Sequence, residues 1–177
     1  MRWEKERLVS IGFVVLSLGS ALFLTGATLN YLNYYPALGQ IYTQADRVAT
    51  VSGSNQSRVD VSITTVNPSD YSGMRLGGAD VTLFFYAKDD VNATFRAGSL
   101  NAIQTIGGDF GPHARIPADI IVRLNSDDAN NFTSFIDSHN SQVIARVFLQ
   151  VEVISFLDSA TGRLSFTSTD DLPLILS

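Results

Sequence analysis

At 177 residues, with 45 % hydrophobic and 16 % charged residues, the chain is too apolar for disorder and the right size for one globular domain plus an anchor. It contains no cysteine, which excludes thiol chemistry and leaves any exported domain to be held by its core alone. From Leu8 onward nine Lys and Arg stand against fifteen Asp and Glu, a net −6 with the basic residues scattered; this excludes a basic face for nucleic acid, and the excess charge serves solubility.

The first element is the stretch Leu8 to Leu29, LVSIGFVVLSLGSALFLTGATL, which holds no charged residue. An uncharged run of roughly 20 residues at about 1.5 Å rise per residue matches a bilayer core of about 30 Å. Residues 1–7 form a short tail carrying Arg2, Lys5 and Arg7, and no Lys or Arg follows the span until Arg47. The positive-inside bias therefore puts the N-terminus in the cytoplasm and the rest of the chain outside it, as a single-pass type II protein of the cell membrane. Trp3 at the near end and Tyr31, Tyr34 and Tyr35 at the far end suit the headgroup level, where amphipathic rings anchor a helix in membrane lipid. A cleaved signal peptide, with Thr25 and Ala27 as small residues before the cut, is the competing reading. The apolar stretch exceeds the roughly 7–15 residues of such a peptide, which favours a retained anchor. Ser17, Ala21 and Thr25 form a small-residue stripe at which a second helix can approach, a pattern that chance also produces.

Residues 30–46, beginning NYLNYYPALGQIYTQ, show no clear period and read as a stalk, with Pro36 and Gly39 breaking any helix. The domain is expected over residues 47–177. Val59, Val61, Ile63 and Thr65 alternate with polar residues as in a half-buried strand, and Asn67-Pro68-Ser69-Asp70 ends it as a turn. Gly73, Gly77 and Gly78 predict a loose connection into the strand Val81 to Tyr86, VTLFFY. Asp89-Asp90 turns the chain into Val91 to Phe95. A further strand covers Ser99 to Ile106, and Gly107 to Pro112 forms a loop.

Ile116, Ala118, Ile120, Val122 and Leu124 then mark an alternating strand. Phe132, Phe135 and Ile136 fall at helical spacing within 127–138, with Asp127 or Asp128 to cap the first turn. The longest strand follows, with Val143, Ala145, Val147, Leu149, Val151 and Val153 on one face and Ile144, Phe148 and Ile154 among polar residues on the other. Asp158 to Gly162 supplies a hairpin turn into Leu164 to Thr167, and Leu172 to Leu176 adds a last edge segment. Together these predict a mainly β chain: a transmembrane helix, then an antiparallel β-sandwich of about seven strands, immunoglobulin- or fibronectin-like, with one short helix.

The order of these elements resembles the late embryogenesis abundant group 2 domain, also called the water-stress and hypersensitive-response domain. The resemblance rests on SITTVNPSD within Val61 to Asp70, FRAGSL at Phe95 to Leu100, Ile116-Pro117-Ala118 at the entry to an alternating strand, and the Phe132 to Ile136 helix before the Val143 to Val153 strand. It covers roughly residues 58–170 and departs from the family at Gly107 to Pro112 and in the segment after Asn67-Pro68. It implies a seven-stranded antiparallel sandwich without enzymatic activity, with roles in stress tolerance or at membranes.

The chemistry available is sparse. Ser138, His139 and Asp137 are adjacent and cannot form a nucleophile–base–orienter line, and His113 lies in a different loop. Asp89-Asp90, Asp127-Asp128 and Asp170-Asp171 lack the alternating spacing of a calcium loop and read as turn and cap residues. No catalytic residue, metal or cofactor is expected. Asn55, Asn92 and Asn131 head Asn-X-Ser/Thr triplets and are the glycosylation candidates, while Pro68 excludes Asn67. Ile121, Phe148 and Ile154 mark a possible partner surface. The function expected is a membrane-anchored, non-enzymatic module at the cell surface, stress-protective or interacting. The alternative is a structural subunit of an envelope or filament assembly, with protein partners or self-association; a binder of envelope sugars or a small ligand requires an aromatic-lined groove.

Overall fold

A computed structural model describes residues 2–51, 58–97, 100–140, 142–155 and 163–176. One helix, α1 (Arg2–Leu38), opens the chain, and its segment from Lys5 onward is long and apolar enough to cross a membrane, with a mean hydropathy of 2.2 and none of that window buried. Its apolar side chains point outward on all sides, as a helix surrounded by lipid requires. The hydroxyl of Thr25 donates to the Ala21 carbonyl at 2.8 Å, so this polar group is satisfied within the helix itself.

The expected stalk is not a separate element. The helix continues through Pro36 to Leu38, and β1 (Tyr42–Thr50) begins four residues later. Tyr34, Ala37, Leu38 and Ile41 are buried in the core of the domain, so tertiary burial holds the last turns helical against the cost of an internal proline. Gly39 does end the helix as expected. The domain therefore starts near residue 41 rather than 47.

Among the described residues eight strands follow: β1, β2 (Arg58–Val66), β3 (Met74–Ala87), β4 (Thr94–Phe95), β5 (Asn101–Thr105), β6 (Arg115–Arg123), β7 (Val143–Ser155) and β8 (Arg163–Leu176), with α2 (Ser126–Ser138) between β6 and β7. They form one sheet in the order β4-β3-β7-β8-β1-β2-β6, with β5 also paired to β3. The sheet is curled so that two layers face each other, a β-sandwich-like fold. Strand β8 joins the layers: residues 163–173 pair antiparallel with β7, and Leu174 to Leu176 pair parallel with Val48 to Thr50. The sheet is thus mixed, where a purely antiparallel one was expected. The two segments read as Leu164 to Thr167 and Leu172 to Leu176 are one strand, central rather than at an edge. The hairpin turn expected at 158–162 lies outside the described residues.

The core lies between the layers. Val48, Val59, Val61, Ile63, Ile120 and Val122 meet Leu76, Val81, Leu83, Phe85, Val147, Leu149 and Val151, the alternate positions of strands that bury one face. Strand β1 escaped the sequence reading because its register slips between Ala45 and Arg47; the extra residue at this bulge destroys the period of two. A second slip lies between Leu76 and Ala79, so Gly77 and Gly78 form a bulge inside β3 instead of a loose connection. A Cβ on Gly78 would lie 3.0 Å from the Gln104 carbonyl oxygen, so glycine there lets β5 approach closely without shifting its backbone. Strand β4 is only two residues long, because Val91 and Asn92 belong to the preceding turn.

The loop after β2 is held by a buried side chain. Asn67 donates from Nδ2 to the carbonyls of Tyr71, Phe110 and Gly111 at 3.2, 3.2 and 2.8 Å, and its Oδ1 accepts from the Ser69 amide and hydroxyl at 3.1 and 2.6 Å. Asn67 thereby ties the turn to the Gly107 to Pro112 loop, whose Phe110 is fully buried. Helix α2 is capped by Asn125, not by Asp127 or Asp128: Asn125 Oδ1 accepts from the Asp128 amide at 2.8 Å. Phe132 on its inner face packs against Phe85 and Phe95 at centroid distances of 4.5 and 5.1 Å.

Candidate functional site

The outer face of the β3–β7–β8 layer is built by the same alternation that fills the core. Register places Asp80, Gln150 and Thr167 in one cross-strand row, Thr82, Phe148 and Thr169 in the next, then Phe84, Arg146 and Asp171, then Tyr86, Ile144 and Pro173. Strand β4 extends the last of these with Thr94 opposite Tyr86, and Arg96 follows at its end. Two depressions of about 300 and about 320 Å³ lie on this face, and Phe148 lines both.

The first depression is aromatic and cationic. Phe84 and Phe148 meet edge to face at 5.3 Å, the Arg96 guanidinium sits 5.3 Å from the Phe84 ring centre, and Arg146 lies the same distance from Tyr86. These are cation–π distances. Arg146 also donates twice to Asp171, both bonds 2.7 Å long, a bidentate pair that fixes both side chains. The Arg146 hydrogen bonds hold the Asp171 carboxyl below its usual range, and the same pair raises the Arg146 guanidinium. Burial raises the Tyr86 phenol, and the neighbouring Asp171 adds to that shift. Among the described residues no carboxylate forms an ion pair with Arg96. The second depression is hydroxyl- and amide-lined, by Thr82, Gln150, Thr167, Ser168 and Thr169 with Asp80 at its end.

The other singled-out residues lie apart from this face. Tyr31 and Tyr35 are exposed near the end of α1 and stack at 5.9 Å, a placement open to headgroups. Tyr34 is 2 % exposed and packs on Tyr71 at 5.7 Å, so it holds the helix to the domain in place of an interfacial role. The Tyr71 hydroxyl donates to Asn30 Oδ1 across the same seam. The side chain of Trp3, and Asn55 altogether, lie outside the described residues. Asn92 is exposed in the turn before β4, and Asn131 is exposed on α2. Ile121 is half-buried, Ile154 is buried, and Phe148 stays 43 % exposed.

The acidic pairs have local roles. Asp90 accepts from the Asn92 amide at 2.9 Å, Asp128 packs on the cap, and Asp170 accepts from the Ala45 amide at 2.9 Å, tying β8 to β1 beside the bulge. His113 contacts Asp70 at 2.9 Å, while His139 closes α2 against the Phe135 carbonyl. Ser138 donates to that same carbonyl, so its hydroxyl is engaged in ending the helix. Phe84, Tyr86, Thr94 and Arg96 were not singled out from sequence, and Asp171, read there as a turn or cap residue, lies inside β8 opposite Arg146. The signal was present in the alternation of VTLFFY, which puts Thr82, Phe84 and Tyr86 on one face, yet only the register of β7 and β8 shows what stands beside them.

No protein-family model and no curated protein matches the chain. Solved structures do. A protein from Archaeoglobus fulgidus is similar over 75 % of this chain and 94 % of its own, at 10 % identity and a TM-score of 0.42. A solution structure from Arabidopsis thaliana is similar over 76 % of this chain and 82 % of its own, at 10 % identity and a TM-score of 0.41. The sporulation control protein Spo0M of Bacillus subtilis is similar over 77 % of this chain, at 12 % identity and a TM-score of 0.41, and the match spans 49 % of that protein.

Proposed function

We propose that this chain is a single-pass membrane protein whose domain lies outside the cytoplasm and works without catalysis, as a stress-protective or interaction module of the late embryogenesis abundant group 2 kind. The observation that carries this reading is the seam between helix and domain. The helix passes without a break from its lipid-compatible surface into the core, where Tyr34, Ala37 and Leu38 are buried. Such a joint fixes the domain at the membrane surface, and a module that acts on what approaches the membrane needs that fixed position. Arg2, Lys5 and Arg7 before the span, and no basic residue until Arg47, support the outward orientation. The Asn67 network, Ile116-Pro117-Ala118 in the outermost strand, and α2 leading into β7 give the quoted family motifs structural roles. The proline of Ile-Pro-Ala is tolerated because β6 is the last strand in the order.

A chain without cysteine makes orientation directly measurable. Lys5→Cys and Asp89→Cys variants are treated on intact cells with a membrane-impermeant maleimide. Labelling at position 89 and protection at position 5 are the expected result; the opposite pattern overturns the reading. Gentle extraction followed by mass determination separates the two modes of action. A lone monomer accords with a protective or interacting module, whereas stoichiometric companions assign the protein to an envelope or filament assembly.

A further inference from the structure

We infer that the outer face of the β3–β7–β8 layer is a binding trough for a glycan chain that carries carboxylates, such as one built with uronic-acid units. Phe148 lines both depressions, and the rows from Asp80 to Tyr86 span about 20 Å at about 3.3 Å per strand residue. This length suits an extended chain of rings better than one compact molecule. The exposed Phe148 ring presents an apolar surface to the C–H side of a sugar ring. Around it stand the groups that pair with hydroxyls: Thr82, Gln150, Thr167 and Thr169 both donate and accept, and the locked Arg146–Asp171 pair offers donors and acceptors side by side. Arg96, stacked on Phe84 and without an ion-pair partner among the described residues, is set to receive a carboxylate in bidentate fashion.

Other ligand classes fit less well. The floor consists of strands whose backbone groups pair with one another, so the trough lacks the free main-chain donors and acceptors that an added peptide strand requires. A nucleic acid needs several unpaired cations along its length, and of the two guanidiniums in the trough Arg146 is already paired with Asp171. A lipid headgroup fits less well, because neither depression shares a lining residue with the helix seam where Tyr34 packs on Tyr71.

The biological ligand rests on the export proposed above, but the trough itself is testable apart from it. Full-length protein in detergent micelles is titrated calorimetrically with galacturonic-acid oligomers and, separately, with dextran oligomers. The expected result is saturable binding of the acidic oligomer, weakened at least tenfold by Phe148→Ala and at least fivefold by Arg96→Gln, with Phe148→Tyr retaining affinity. Thermal melts of each variant check that both exposed substitutions leave the fold intact. Absence of binding to the acidic oligomer, equal binding by parent and both variants, or preference for dextran overturns the proposal. Maleimide labelling that put position 89 inside the cell would sink the export reading and leave the calorimetric result standing.

Discussion

Two side chains show how single residues set the local structure. Asn67 is fully buried, yet each of its polar atoms has a partner: three carbonyls receive its amide and two donors reach its oxygen. Asn67→Asp removes the donors and faces three carbonyl oxygens with an acceptor. An unsatisfied buried polar group costs roughly 1–3 kcal/mol, so this variant is expected to lose at least that much stability, measured by denaturant midpoint, and more than Ser69→Ala loses. Asp171 tests the trough by pH. Because the Arg146 hydrogen bonds lower its folded value below the ordinary 3.8, its contribution is complete above that unfolded value and is lost as pH falls through the folded one. The stability difference between the parent and Asp171→Asn is therefore expected to stay flat from pH 7 to about pH 5 and to shrink below about pH 4. A difference that stays flat down through about pH 3 would mean the pair is not formed.

At the scale of elements, α2 and the bulges explain most of the architecture beyond plain alternation. Helix α2 is short and polar outside, and it stays in place through Ala129, Phe132 and Ile136 on its inner face. Phe132 is fully buried between Phe85 and Phe95. Phe132→Ala is expected to cost about 3–5 kcal/mol, the range for removing a fully buried ring, with the loss visible as faster amide exchange first in α2 and in the β3 to β4 turn. The bulge at Gly77 and Gly78 lets one long strand bend around the sheet, and that at Asp46 does the same for β1. Both bulged segments read poorly from sequence, since period two holds only while every residue is paired in step. Strands without a bulge, β2, β6 and β7, were legible nearly to their ends.

At the scale of the whole molecule, helix and domain form one folded unit. Removing residues 1–35 takes away Tyr34 and Asn30 and leaves Ala37 and Leu38 without their helix, whereas removing residues 1–26 spares the seam. The shorter deletion is expected to give the more stable domain, with the 1–35 deletion melting lower or aggregating; equal melting temperatures would show that the seam adds nothing to the fold. The same seam, through Tyr34, Ala37 and Leu38, fixes the domain against the end of the helix.

Composition and pattern by themselves determined the helix long and apolar enough to cross a membrane, the mainly β character, α2 and the buried face of β7, because each depends on spacing along the chain alone. The Asn-Pro turn was legible for the same reason, since proline fixes its own backbone and asparagine bonds to its neighbours. Tertiary structure decided what depends on partners distant in sequence. It made β8 a single strand that leaves β7 for β1, turned the supposed stalk into helix by burying Tyr34 and Leu38, and set Phe84, Phe148, Arg96 and Arg146 side by side. Phe84 and Phe148 stand 64 positions apart in the chain, and only the pairing register of β3 with β7 brings their rings into contact.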